Sequence, residues 1–155
     1  MDRALLRLLR TRGHAPAVER AAWLYARAGE QGLLWYGIAA VGYALSRRPE
    51  FPRAMRVVLA AFIANTAVKQ VARRPRPDLG PDLPPLTSTI SGLSYPSAHA
   101  ATSFAAAGAL ARVLPAPPLY AAAGAMALTR PYLGVHYPSD VVAGALLGTA
   151  IETLL

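Results

Sequence analysis

The chain contains no cysteine. That excludes disulfide scaffolds, thiolate zinc sites and cysteine nucleophiles. Lysine is nearly absent too: Lys69 is the only one among 16 basic residues. Charged residues make up 15% and aromatics 8% of the 155 positions. Acidic residues are the scarcer sign, 8 against 16 basic, which leaves a formal net charge of +8. Such an excess favours anionic partners, phosphate groups above all. The charges stand beside apolar runs with no aromatic platform among them, so nucleic-acid binding is disfavoured. Hydrophobic residues reach 54%, too many for a disordered chain.

What the chain does have is long apolar runs, at 31–46, 54–70, 97–114, 117–130 and 138–155, nearly free of charge. At about 1.5 Å per residue, helices of this length cover most of a ~30 Å hydrocarbon core. Ala, Gly and Leu dominate the runs and no alternation of period two persists, so they read as helices. So many runs in a short chain leave too little polar surface for a soluble protein. The expected fold is an all-α integral membrane protein, a bundle of about five transmembrane helices. The expected location is multi-pass in a cell membrane, that of a bacterium. Ahead of the bundle, Arg3, Arg7 and Arg10 repeat at helical spacing opposite Leu5, Leu6, Leu8 and Leu9. Residues 17–28 continue the style, with Trp23 and Tyr25 among Arg20 and Arg27. Residues 1–30 are therefore expected as an amphipathic interfacial segment and 31–155 as a single transmembrane domain. Gly144 and Gly148 form G-x-x-x-G, which serves either close packing within one chain, the favoured reading, or a homodimer face.

Alternation of the runs brings distant residues together. The second run ends near Lys69, and a proline-rich loop, 73–96, returns to the third run at Ser97. The fourth run ends near Arg130 and the fifth begins near Asp140, on that same face. Lys69, Arg76 and Arg130 supply positive charge; Arg grips phosphate oxygens bidentately and Lys acts as a point charge. Ser97 follows Pro96 at a helix start, where hydroxyl and backbone N–H groups hold anions. His99 and His136 can move protons near neutral pH or attack phosphorus. Asp140, four residues after His136, is placed to accept from one ring nitrogen and aim the other. Arg73 and Arg74 read as anchors that snorkel to headgroups.

Lys69 to Pro77 fits K-x6-R-P, Pro96-Ser97-Ala98-His99 fits P-S-x-H, and Arg130, His136 and Asp140 fit R-x5-H-x3-D. In this order the motifs, within 69–77, 96–99 and 129–140, resemble those of the type 2 phosphatidic acid phosphatase superfamily, in its membrane branch. The resemblance implies a lipid phosphate phosphatase acting through a phosphohistidine, with no metal and no cofactor. It implies that Lys69, Arg76, Ser97, Ala98 and Arg130 bind the phosphoryl group. It implies His136 as nucleophile, His99 as general acid and Asp140 as the group orienting His136. Two positions depart from the family pattern: Thr129 stands where Ser is usual, and Ala98 where Gly is. A membrane lipid phosphate is the expected substrate, with polyprenyl-linked phosphates favoured. Phosphatidic acid, phosphatidylglycerol phosphate and a phosphotransferase reaction are the alternatives.

The face carrying the site is ambiguous in the sequence. Family members usually place it outside. Here Arg3, Arg7, Arg10, Arg12, Arg20, Arg27, Arg73 and Arg74 fall on its side, against Arg47, Arg48, Arg53, Arg56 and Arg112 on the other. By the positive-inside rule that balance points to the cytoplasm.

Overall fold

Small side chains decide which helix sits at the centre. The third apolar run is mostly alanine, so neighbouring helices can approach its backbone from every direction. In a computed structural model, which describes residues 1–155, this run forms α5 (Ala98–Leu110). The other helices are α1 (Asp2–Thr11), α2 (Pro16–Ala28), α3 (Leu33–Ser46), α4 (Glu50–Ala72), α6 (Ala116–Tyr132) and α7 (Pro138–Leu154). A 3-10 turn, Glu30–Gly32, separates α2 from α3. There is no sheet, only an isolated antiparallel bridge between Pro75 and Leu93.

Helix α5 packs most extensively on α7, then on α4 and α6. Ala100, Ala101, Ala105, Ala106, Ala107, Ala109 and Leu110 are all fully buried. Trp35 of α3 is buried and donates its indole N–H to Ser103 Oγ on α5 at 2.8 Å. The seam with α7 depends on Gly144 and Gly148. A Cβ at Gly144 would run into the Ser97 carbonyl, and one at Gly148 into the Ala101 carbonyl. The G-x-x-x-G face is thus filled by α5 of the same chain. At the opposite end of the bundle, Glu152 of α7 meets Arg53 and Arg112, each at 3.3 Å. That ion cluster pairs the one acidic residue in the later part of α7.

The apolar runs and the helices correspond, with two differences. Helix α4 starts at Glu50 and has 23 residues, because the Arg47–Pro49 turn is tighter than the sequence suggests. It is the one helix long and apolar enough to cross a membrane by length and composition alone, with a mean hydropathy of 1.3. Helix α5 has only 13 residues, about 20 Å, because the chain turns at Ala111. Its near-total burial explains why a short helix suffices: its neighbours, not the surroundings, cover it.

The N-terminal segment is two helices with different placements. Helix α1 lies across one end of the bundle, with Leu6 fully buried and Leu5 and Leu8 exposed. Arg10 leaves the polar face assigned to it and turns inward, donating to the Pro84 carbonyl at 2.8 Å and the Tyr132 carbonyl at 3.2 Å. Helix α2 instead runs down along α6. His14, just before it, stacks on the Tyr132 ring, and Tyr25 donates to the Ala122 carbonyl, about 15 Å further along α6.

The α5–α7 seam yields a test. Gly148→Ala places a methyl on backbone that cannot rotate aside, and is expected to cost about 2–3 kcal/mol. Gly124→Ala, where a Cβ meets nothing, is expected to be neutral or slightly stabilising. Thermal unfolding of both variants in detergent makes the comparison.

Candidate active site

Each candidate residue sits where a helix begins or ends. Lys69 lies in the last turn of α4, and Arg76 follows in the loop. Ala98 and His99 open α5, and Arg130 lies near the end of α6. Helix α6 stops at Tyr132, and Gly134, with φ +81, turns the chain into Val135 and His136. Asp140 is in the first turn of α7. Lys69, Arg76, Ala98, His99, Arg130 and His136 together line one cavity of about 250 Å³ at this end of the bundle. Asp140 lies behind His136 and is fully buried.

His136 and Asp140 stand next to each other at the start of α7. Asp140 Oδ2 lies 3.5 Å from His136 Nδ1, an ion-pair distance without hydrogen-bond geometry, and that nitrogen has no hydrogen-bond partner in the chain. A carboxylate only accepts, so Nδ1 carries the proton and Nε2 the lone pair. Nε2 lies 3.1 Å from Arg76 Nη1, which also donates to the Val135 carbonyl at 2.8 Å. Asp140 caps α7 as well, taking the Tyr137 N–H on Oδ2 at 2.8 Å.

Loop carbonyls position two of the cations. Lys69 Nζ donates to the Leu93 carbonyl at 3.1 Å, and Arg76 Nε to the Ser91 carbonyl at 2.7 Å. Arg130 is different: it is buried and its Nε has no partner in the chain. Its guanidinium lines the cavity, where a planar set of N–H donors suits the oxygens of an anion. His99 donates Nε2–H to the Ala26 carbonyl of α2 at 2.9 Å, which leaves Nδ1 as the nitrogen able to exchange protons.

Ser97 stands just ahead of Ala98 and His99, at the start of α5. It is fully buried and is not part of the cavity wall. Its hydroxyl caps α5 by accepting from Ala100 N, and its N–H donates to the Asp140 carbonyl at 2.9 Å. Its contacts join α5 to α7. The Thr129 hydroxyl likewise turns away, donating to the Met126 carbonyl at 2.6 Å. Arg74 is no headgroup anchor, because its Nη1 donates to Asp140 Oδ1 at 2.8 Å.

Sequence reasoning missed Asn65, Glu30 and Gln31, which also line the cavity. Asn65 is fully buried, donates to the Pro96 carbonyl at 3.2 Å and leaves Oδ1 unpaired. Its signal was available: Asn65 stands four residues before Lys69, hence on the same face of α4. Glu30 and Gln31 gave no signal, since only the break between α2 and α3 brings them to the wall.

Burial pushes the His136 imidazole down to about 3; the Asp140 contact pulls it up, and Arg76, Arg130 and Lys69 push it further down. The folded chain thus declines a proton that the unfolded chain takes near its ordinary value of 6.5. The unfolded state binds more protons between these values, so stability falls as pH drops from about 6.5 toward 3. The expected thermal midpoint declines with acid across this window, and His136→Asn shows a shallower decline.

The chain matches the model described as PAP2 superfamily over residues 53–155. It is 42% identical over 134 residues to a decaprenylphosphoryl-5-phosphoribose phosphatase of Mycolicibacterium smegmatis, covering 83% of this chain and 72% of that one. It is 37% identical to a protein of the same name from Mycobacterium tuberculosis H37Rv, covering 81% and 76%. Among solved structures it resembles a transmembrane PAP2 type phosphatidylglycerolphosphate phosphatase from Bacillus subtilis, with a TM-score of 0.78 and 22% identity over 99% of this chain and 81% of that one. Aquifex aeolicus LpxE gives a TM-score of 0.82 at 22% identity, covering 97% and 92%.

Proposed function

The chain belongs to the PAP2 superfamily, and from that premise we propose that it is a lipid phosphatase that removes phosphate from a polyprenyl-linked phosphosugar. The observation that carries this reading is the cavity where Lys69, Arg76 and Arg130 surround the His136 lone pair. The substrate class comes from the mycobacterial relatives, whose names specify a decaprenyl-linked phosphoribose. The cavity suits such a headgroup: only three of its 16 lining residues are hydrophobic.

The chemistry follows from the site. The phosphoryl oxygens engage Arg130 and draw Arg76 off His136 Nε2, releasing the lone pair for attack. Nε2 forms a bond to phosphorus as the bond to the sugar oxygen breaks. His99, protonated on Nδ1, gives its proton to the leaving oxygen. Water then attacks the phosphohistidine while His99 takes back a proton, and phosphate leaves. Asp140 stabilises the charge that His136 acquires. The cations supply the charge stabilisation, so no step requires a metal.

The membrane arrangement is part of the proposal. Helices α3 to α7 cross a bacterial plasma membrane, α2 extends α3 toward the site's face, and α1 lies in the headgroup layer. The substrate's tail then remains in lipid while its headgroup enters the cavity.

Purified protein in detergent is expected to release phosphate from a polyprenyl phosphoribose phosphate in preference to undecaprenyl diphosphate, phosphatidic acid and phosphatidylglycerol phosphate. His136→Ala is expected to lower kcat/KM by more than ~10³-fold, and chelator to have no effect. Unchanged release from His136→Ala overturns the mechanism; a phospholipid preferred over the phosphosugar overturns the substrate class.

A further inference from the structure

Behind the cavity lies a polar cluster that the catalytic reading does not use. It joins the first turn of α1 to the loop after α4 and to the start of α7. Arg74 is its hub. Nη1 donates to Asp140 Oδ1 at 2.8 Å and to Ser139 Oγ at 2.7 Å. Nη2 donates to Asp2 Oδ2 at 2.8 Å. The guanidinium also stacks on the Tyr137 ring, 4.0 Å from its centroid. Asp2 in turn accepts the Ser139 N–H on Oδ1 at 3.1 Å and the Ser139 hydroxyl on Oδ2.

We propose that Asp2 and Arg74 are positioning residues that hold the Asp140 carboxylate in the rotation that meets His136, which makes α1 part of the catalytic apparatus. The proposal rests on the reading of His136 as the nucleophile.

The Asp140 carboxylate can turn about its Cβ–Cγ bond, and only one orientation keeps Oδ2 toward His136 Nδ1. The Tyr137 N–H fixes Oδ2, and Arg74 fixes Oδ1. Two donors on opposite oxygens leave no freedom of rotation. Arg74 is not self-supporting: it follows the last turn of α4 on a loop, and its side chain is 31% exposed. A long side chain so placed samples many rotamers unless several contacts hold it. Asp2 supplies the charged contact, on the side of the guanidinium that does not face Asp140. Burial alone would raise the Asp2 carboxyl, but hydrogen bonds from Ser139 and Arg74 outweigh it and hold Asp2 below its ordinary value. Asp2 is therefore charged at neutral pH. Its own place is set by Leu6, one turn further along α1 and fully buried.

A part-exposed ion pair of this kind adds little to global stability. Its effect is on geometry, and misplacement of a reacting group by about 1 Å costs up to ~10²-fold in rate. The test uses the full-length protein in detergent, with p-nitrophenyl phosphate beside the lipid substrate so that headgroup recognition is not limiting. Arg74→Ala is expected to lower kcat ~10²-fold with KM nearly unchanged. Asp2→Ala is expected to lower it about 10-fold, and Asp2→Glu to restore most of the loss. In the Arg74→Ala background, Asp2→Ala is expected to add nothing, because Asp2 acts through Arg74.

A second readout does not need turnover. In 15N-histidine spectra, the Nδ1–H signal assigned to His136 with His136→Asn is expected to weaken in Arg74→Ala and Asp2→Ala. Additive losses, a loss confined to KM, or an unchanged Nδ1–H signal each overturn the proposal. An inactive wild type with that signal altered in both variants supports the positioning role while overturning the phosphatase reading.

Discussion

Close contact between α5 and the glycines of α7 is the constraint on which the rest of the molecule depends. The carbonyls of Ser97 and Ala101 rest where Gly144 and Gly148 have no side chain. This approach sets the depth of α7 against α5, and hence the height of Asp140 relative to Ser97. The Ser97 N–H reaches the Asp140 carbonyl only at that register. His99 and His136 follow from the same geometry, since one opens α5 and the other precedes α7. Alanine on the remaining faces of α5 lets α4 and α6 approach, which brings Lys69 and Arg130 to the same end.

Three cations in one cavity repel each other, and the fold has to offset that repulsion. It does so with backbone. The proline-rich loop offers the carbonyls of Ser91 and Leu93 to Arg76 and Lys69. The loop is anchored by the bridge between Pro75 and Leu93, by the Leu86 N–H on the Leu133 carbonyl, and by Arg10 on the Pro84 carbonyl. Helix α1 and the loop thus brace each other over the end of the bundle. Arg130 lacks such a partner for its Nε.

Much of this was legible in the sequence, and the residues show why. Lys69, Arg76, His99, Arg130, His136 and Asp140 sit at fixed spacings next to apolar runs, so alternation alone gathers them at one end. Ser97 was expected at the phosphate; its contacts within the chain are those of a helix cap, and a serine at a helix start suits either role. Arg74 was misread because its partner Asp2 lies 72 positions away in sequence, beyond any local pattern. Glu152 gave no clue for the same reason, being matched by Arg53 on α4 and Arg112 after α5. The course of α2 along α6 was hidden as well. Its arginines and aromatics describe a helix at an interface but not the direction in which it leaves that interface.

The gathering of Lys69, Arg76 and Arg130 in one cavity also bears on product release. Groups that grip a phosphoryl ester also grip the inorganic phosphate left behind, and in a narrow cavity they do so with little water to compete. An ester has the rest of its molecule to hold it as well, whereas free phosphate has the charges alone. In the proposed reaction, product retention and substrate capture are therefore set by the same three side chains. Tightening that grip slows the departure of phosphate as it strengthens the arrival of substrate, so the cage strength that sustains the fastest cycle is an intermediate one.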